Sequence, residues 1–254
     1  MRNVRLVLSY DGTRFSGWQF QKDQRTIQGL LEEALAALTG AAVTLHGAGR
    51  TDAGVHAEGM VANFQTDAVI PAAGLLKGVN TLLPPDIRVL AAEDVAGDFH
   101  ARYNAKGKVY EYSFVVASVM PPLLRLYAAH VRKPLDIEAM RRCLPALLGR
   151  QDFRSFEATG SRDAALGKGD GGVRTIFAAR LEQEECLHPL YRLTISGNGF
   201  LRHMVRNIVG TLFEVGRGKL SPCDFAELIA ARDRTLAGPT APAHGLRLKN
   251  VFYE

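Results

Sequence analysis

The chain has 254 residues, 47% hydrophobic and 22% charged, an ordinary globular composition that can fill one large domain or two small ones. Nowhere do apolar residues run for the ~18 positions that a membrane helix needs, so no membrane partner is expected. Cys143, Cys186 and Cys223 are odd in number and widely spaced, with no CxxC, and fit thiols of a reducing cytosol better than a disulfide frame or a zinc site.

The chain begins Met1-Arg-Asn-Val-Arg-Leu-Val-Leu-Ser, which reads as a strand and lacks a signal-peptide layout; a cytoplasmic protein is expected. The net charge of +5 suits a polyanionic partner. Its distribution is uneven. Residues 1–104 hold 9 Lys and Arg against 11 Asp and Glu, whereas residues 105–254 hold 22 against 15. A grip on phosphates is therefore expected from the second half, and the two halves are read as two lobes with a cleft between them.

In chain order, Val4–Tyr10 alternates as a strand does. Thr26 can cap a helix whose apolar residues Ile27, Leu30, Leu31, Ala34, Leu35 and Leu38 follow i, i+3, i+4, i+7 spacing, with Gly40 as its stop. Ala42–Leu45 and Met60–Gln65 read as strands. Pro71 opens a second helix carrying Leu75, Leu76 and Val79, and Ile87–Ala91 follows as a strand. The order β-α-β-β-α-β is the split βαβ, or ferredoxin-like, plan.

A similar order recurs downstream. Lys108–Val116 is strand-like, with Val109, Glu111, Ser113 and Val115 on one face and Tyr110, Tyr112, Phe114 and Val116 on the other. Asp136 caps a helix expected to reach Leu148. Thr175–Leu181 and Leu190–Ser196 read as a strand pair. A long helix is expected from about Phe200 to Gly216, a further one from Ser221-Pro222 through Ala231, and a closing strand over Leu246–Phe252. The fold class is α+β: two ferredoxin-like lobes with a central antiparallel sheet. Residues 158–172, glycine-rich and low in apolar content, read as a mobile surface loop, either a passive insertion or a segment that closes over a polyanion.

One stretch points to chemistry. In Gly47-Ala-Gly-Arg-Thr-Asp52-Ala-Gly-Val-His-Ala57 a single carboxylate, Asp52, lies among small residues, with Arg50 before it and His56 after it. Gly47, Gly49 and Gly54 permit positive φ and close approach to a ligand. On spacing alone the stretch fits a glycine-rich turn as well as it fits a carboxylate presented to a substrate.

The wider pattern resembles one family, the tRNA pseudouridine synthases of the TruA type. The resemblance rests on Tyr10-Asp-Gly-Thr-Arg-Phe-Ser-Gly-Trp-Gln19, Thr26-Ile-Gln28, Gly49-Arg-Thr-Asp-Ala-Gly-Val-His56, Asp98-Phe-His-Ala-Arg102 and His203-Met-Val-Arg-Asn-Ile-Val-Gly210. Ala230-Ala-Arg-Asp-Arg-Thr235 and Ala243-His-Gly-Leu246 add to it. These segments span nearly the whole chain in the family's order, which is far more specific than any one of them.

The resemblance implies isomerisation of uridine to pseudouridine at positions 38, 39 and 40 of the tRNA anticodon stem-loop, by a homodimer and with no cofactor or metal. It implies that Asp52 is the essential aspartate and nucleophile, that Arg206 is its ion-pair partner, that Tyr110 is the active-site tyrosine and that Leu246 lines the base pocket. Arg50, inside the aspartate motif, is expected either to contact substrate phosphate or to help open the stem. Arg202, read as one helical turn before Arg206 and on the same side, is a further substrate-binding candidate.

The residue types suit the chemistry. An ordinary Asp, with a pKa near 3.9, is ionised at pH 7, and a neighbouring arginine keeps it so when the site becomes dry. The target uridine must be flipped from its stack, and an aromatic ring offsets part of that cost. Whether Asp52 attacks C1′ or C6, or removes the C2′ proton, is left open. Two rivals remain: an RNA-binding module without catalysis, and a hydrolase using Asp52 with His56 or His100. The second lacks a Ser or Cys nucleophile elbow and a second carboxylate at a recognisable spacing.

Overall fold

The first strand, β1 (Arg2–Tyr10), places Val4, Leu6, Leu8 and Tyr10 in the core and turns the residues between them outward, the alternation that a pleated strand requires. It belongs to a computed structural model that describes residues 1–160 and 170–254. Thr26 caps α1 (Ile27–Thr39) by accepting the Gly29 N–H, and Gly40 ends it in the left-handed conformation. A threonine cap of this kind is worth about 1 kcal/mol. The helix buries Ile27, Leu31, Ala34 and Leu35, four of the six apolar residues that the spacing selects, each leucine stabilising by about 1.5–3 kcal/mol.

Next come β2 (His46–Gly47), β3 (His56–Thr66), α2 (Ala72–Leu82) and β4 (Ile87–Val95). β1 runs antiparallel to both β3 and β4, giving the order β4-β1-β3 of a split βαβ unit. The strand expected over Ala42–Leu45 is not formed. The ladder forms at His46 and Gly47, opposite Asn63 and Ala62, while Leu45 spends its backbone on side chains: its N–H donates to Glu32 and its carbonyl accepts from Gln28.

The chain forms two compact units, residues 1–106 with 247–254, and residues 107–246. The closing strand, β10 (Leu246–Phe252), carries Arg247 and Leu248 parallel to His56 and Ala57 of β3, so the end of the chain joins the first unit, not the second half anticipated at 105–254. Counted by unit, the first holds 12 basic and 12 acidic residues and the second 19 and 14. The whole basic excess thus belongs to the second unit.

The second unit is built on β5 (Gly107–Val116), β8 (Val173–Gln183) and β9 (Leu190–Gly197), antiparallel in the order β5-β9-β8. Two short strands extend it beyond expectation: β6 (Ala129–Val131) on β5 and β7 (Gly149–Asp152) on β8. Asp136 caps α3 (Ile137–Cys143) through the Ala139 N–H. That helix was expected to reach Leu148, but the chain tightens into a 3-10 turn over Leu144–Leu147. Pro145 has no N–H to continue the helical ladder.

α4 (Met204–Gly216) packs Met204, Val205, Ile208, Leu212 and Phe213 into the core, where Phe213 meets the rings of Tyr112 and Phe114 edge-on. α5 (Pro222–Ala231) opens with a capping box between Ser221 and Asp224 and with proline at its first position. The surface loop read over 158–172 falls mainly on residues 161–169, outside the described residues.

Candidate active site

In the first unit the segment 48–55 connects β2 to β3 and carries Arg50, Thr51 and Asp52. Arg50 is exposed and Asp52 half-buried, while Thr51 between them is buried. The Thr51 hydroxyl shares a hydrogen bond of 2.8 Å with the Tyr10 hydroxyl, and its carbonyl accepts the Trp18 N–H at 3.0 Å. The Asp52 carbonyl accepts the Val55 N–H at 3.1 Å, closing a turn through Gly54, whose φ is 76°. The glycines differ from expectation in their use. Positive φ occurs at Gly54, whereas Gly47 serves close approach: a Cβ there would lie 2.6 Å from the Trp18 ring.

The motif over residues 10–28 now has a physical role. Gly17, at φ 93°, passes so close beneath the loop that a Cβ would lie 2.7 Å from the Thr51 carbonyl oxygen. Gly17 and Trp18 in turn accept the N–H groups of Ile27 and Gln28 at 3.2 and 3.0 Å, which ties the strap to the start of α1. Buried Gln28 accepts from Phe20 N–H and Gln19 Nε2 and donates to the Leu45 carbonyl. At the far end of the loop, buried His56 accepts the Gly12 N–H on Nδ1 at 3.1 Å, and Asp11 Oδ1 lies 3.1 Å from the same nitrogen. The carboxylate thus stands on a loop fixed at both ends, the preorganisation that a catalytic group needs. These residues stand in the motif stretches of the sequence, but their supporting contacts arise only in the folded chain.

In the second unit Tyr110 lies on β5 opposite Ile195 of β9, is 8% exposed, and meets Phe200 edge-on with ring centroids 5.0 Å apart. Tyr112 and Phe114, on the same face, are core residues. The Tyr112 hydroxyl donates to the Pro242 carbonyl at 2.9 Å, and a Cβ on Gly245 would lie 2.7 Å from the Tyr112 ring. Buried Leu246 follows directly, so the 242–246 segment is laid across Tyr112. Burial pushes the Tyr112 phenol above its ordinary pKa, and the Arg206 guanidinium opposes that rise.

Arg206, half-buried on the first turn of α4, donates from Nε to the Ala241 carbonyl at 2.9 Å, and its own carbonyl accepts the Ala241 N–H at 3.1 Å. Arg202 is placed differently from expectation. Leu201–Met204 form a turn, His203 takes φ 62°, and α4 begins only at Met204. Arg202 therefore precedes the helix, exposed, and its carbonyl accepts the Ala158 N–H at 2.9 Å. The two arginines do not share a helix face. The helix expected from about Phe200 starts later because the left-handed His203 interrupts it.

A further group was not anticipated from sequence. Asn207, fully buried beside Arg206, donates to the Phe156 carbonyl at 2.8 Å and accepts from Thr240 Oγ1 at 2.7 Å and Arg234 Nη2 at 3.2 Å. Burial lowers the Arg234 pKa from its usual range. Among the described residues no group of three or more His, Cys, Asp or Glu is arranged to hold a metal ion, and no helix is long and apolar enough to cross a membrane.

Comparison with known proteins agrees along the whole chain. A family model described as tRNA pseudouridine synthase matches residues 6–104 and 144–254. A Desulfotalea psychrophila protein named tRNA pseudouridine synthase A 1 is 51% identical over 253 residues, covering 100% of both chains. A tRNA pseudouridine synthase A of Citrifermentans bemidjiense is 45% identical over 255 residues, covering 100% of this chain and 98% of that one. One from Thermoanaerobacter sp. is 43% identical over 253 residues, covering 100% of both. With its antiparallel sheets, its fixed aspartate loop and this full-length similarity, the chain belongs to the tRNA pseudouridine synthase family.

Proposed function

We propose that the protein isomerises uridine to pseudouridine at positions 38, 39 and 40 in the anticodon stem-loop of tRNA, with Asp52 as the essential carboxylate. The observation that best supports this reading is the Asp52 loop itself, a half-buried carboxylate on a turn fixed by Tyr10, Gly17, Trp18 and His56 in a chain of this family. In the reaction the N1–C1′ bond breaks and a C5–C1′ bond forms; the proton on C5 is lost and N1 gains one. The base is retained throughout, so the residues need only aim an ionised carboxylate, hold the detached ring and exclude water.

Asp52 acts as nucleophile on the flipped uridine, and Arg206 contributes its guanidinium to the same reaction. Tyr110, its ring steadied by Phe200, stacks on the extruded base, and Leu246 lines the pocket. Exposed Arg50 and Arg202 engage substrate phosphates. The protein works as a homodimer in the cytoplasm on tRNA, and the basic excess of residues 107–246 supplies most of the salt-sensitive grip.

Mapping pseudouridines in total tRNA from cells with and without this protein tests the reading. Loss of pseudouridine at positions 38 to 40 alone supports it. An unchanged map, or loss at other positions, contradicts it.

A further inference from the structure

Residues 96–104, between β4 and β5, present a surface that the catalytic reading leaves unused. His46 of β2, His100 and Tyr103 form a run of rings, with centroids 5.0 Å apart for His46–His100 and 4.2 Å for His100–Tyr103, and tilts of 32° and 36°. Tyr103 is 77% exposed, so the outer part of the run is open. The Arg102 guanidinium carbon lies 6.0 Å from the Tyr103 ring centroid, and Arg102 pairs with no carboxylate among the described residues.

The support beneath this exposed surface is rigid. Asn3 and Asn63 are 2% and 3% exposed. Asn3 Nδ2 donates to the carbonyls of Ala96 and Phe99 at 3.0 and 2.8 Å, and Asn63 Nδ2 to Asn3 Oδ1 at 3.0 Å. Asn63 Oδ1 accepts the Ala101 N–H at 2.9 Å, and the Tyr253 hydroxyl donates to the Ala101 carbonyl at 2.8 Å. His100 is itself fixed, its N–H donating to Asn104 Oδ1 at 2.7 Å and its Nδ1 accepting the Arg102 N–H at 3.1 Å. That acceptor role requires a neutral ring with its proton on Nε2. Burial, and after it His46, lowers the His100 pKa in the same sense.

An open aromatic run on a fixed loop with a cation beside it loses little conformational entropy on docking, and it offers what unpaired bases stack on. We propose that His46, His100 and Tyr103 form a stacking platform for an unpaired nucleotide of the bound RNA, with Arg102 beside the adjoining phosphate. This rests on the tRNA reading above but concerns a different nucleotide from the target. His46 pairs with Asn63, seven residues along β3 from His56, or about 23 Å at ~3.3 Å per residue.

The test compares the dissociation constant of an unmodified tRNA transcript, at one fixed salt concentration, for wild type, Tyr103→Ala and Tyr103→Phe. Because Tyr103 is exposed, both variants should fold. Tyr103→Ala should weaken binding about five-fold or more, the lower bound of a lost base stack, with kcat at saturating tRNA unchanged and Tyr103→Phe close to wild type. Unchanged affinity in Tyr103→Ala overturns the platform, and equal weakening in Tyr103→Phe overturns stacking as its basis. Sedimentation of the same samples adds a further outcome: if Tyr103→Ala weakens binding only by separating two copies of the chain, the surface is a self-association site and the RNA assignment is wrong. Failure of the enzymatic reading would show separately, as wild type that binds tRNA and makes no pseudouridine in it.

Discussion

Arg206 and Ala241 are joined by two hydrogen bonds in opposite directions: Arg206 Nε donates to the Ala241 carbonyl at 2.9 Å, and the Ala241 N–H donates to the Arg206 carbonyl at 3.1 Å. The guanidinium is thereby held by main chain at one of its nitrogens. This close approach depends on Gly210, one helical turn further along α4, where an added Cβ would run into the Pro239 carbonyl oxygen.

Gly210→Ala should therefore destabilise. In an unobstructed helix interior the change would stabilise by up to about 1 kcal/mol, but overpacking against a main-chain carbonyl costs roughly 1–3 kcal/mol, and here the second effect wins. The expected outcome is a lower midpoint in thermal unfolding together with reduced kcat, as the 237–241 segment moves and takes the Arg206 side chain with it. A stabilised variant with full activity would contradict the packing argument.

Tyr10→Phe removes one partner of the buried Thr51 hydroxyl while leaving the ring that packs near Trp18, 6.2 Å away between centroids. A stability loss of about 1–3 kcal/mol is expected from the lost buried bond. Since Thr51 immediately precedes Asp52, kcat should fall more than KM rises. Steady-state kinetics on a tRNA transcript, beside denaturant unfolding, separates the two effects.

Acid stability should depend on Asp152. Its hydrogen bonds from Arg154 hold its carboxyl below the usual pKa, burial opposing, and its side chain is 11% exposed. A carboxylate with a depressed folded-state pKa adds stability above its unfolded value, near 3.9, and that stability is lost as pH falls through this range to the folded value. Asp152→Asn should thus lower the unfolding midpoint at pH 7 by the equivalent of about 1–3 kcal/mol and bring the variant and wild type together toward pH 3. Glu214, depressed by Lys219 and Arg217, keeps part of the acid dependence in both. A difference that grows on acidification would refute the assignment.

Much of the fold was legible because local signals agreed with the tertiary outcome. Thr26 and Gly40 bound α1, Asp136 starts α3, and Ser221-Pro222 starts α5 where side-chain chemistry and spacing indicate. The misreadings have physical causes. α3 stops early because Pro145 withholds an N–H, β2 forms one step late because Leu45 bonds to Glu32 and Gln28, and His203 adopts a left-handed conformation that no local signal announces.

In the candidate site, Asp52 stood out through its small neighbours. What fixes it, from Tyr10, Gly17 and Trp18 across to His56, comes from contacts distant in sequence, which periodicity cannot reveal. Asn207 beside Arg206 is likewise a matter of tertiary burial: its side chain reaches residues 156, 234 and 240. Arg202 illustrates the converse, a spacing argument undone by one left-handed residue.

The role given to Asp52 is tested most directly with Asp52→Asn, which keeps shape and hydrogen-bonding capacity while removing the charge. Because C5 loses its proton in the reaction, tritium release from tRNA carrying 5-tritiated uridine reports turnover, and the binding of the same tRNA reports folding and recognition. The expected result is tRNA affinity within a few-fold of wild type and no detectable tritium release. Tritium release at a rate near wild type would show that the Asp52 carboxylate is not the catalytic group.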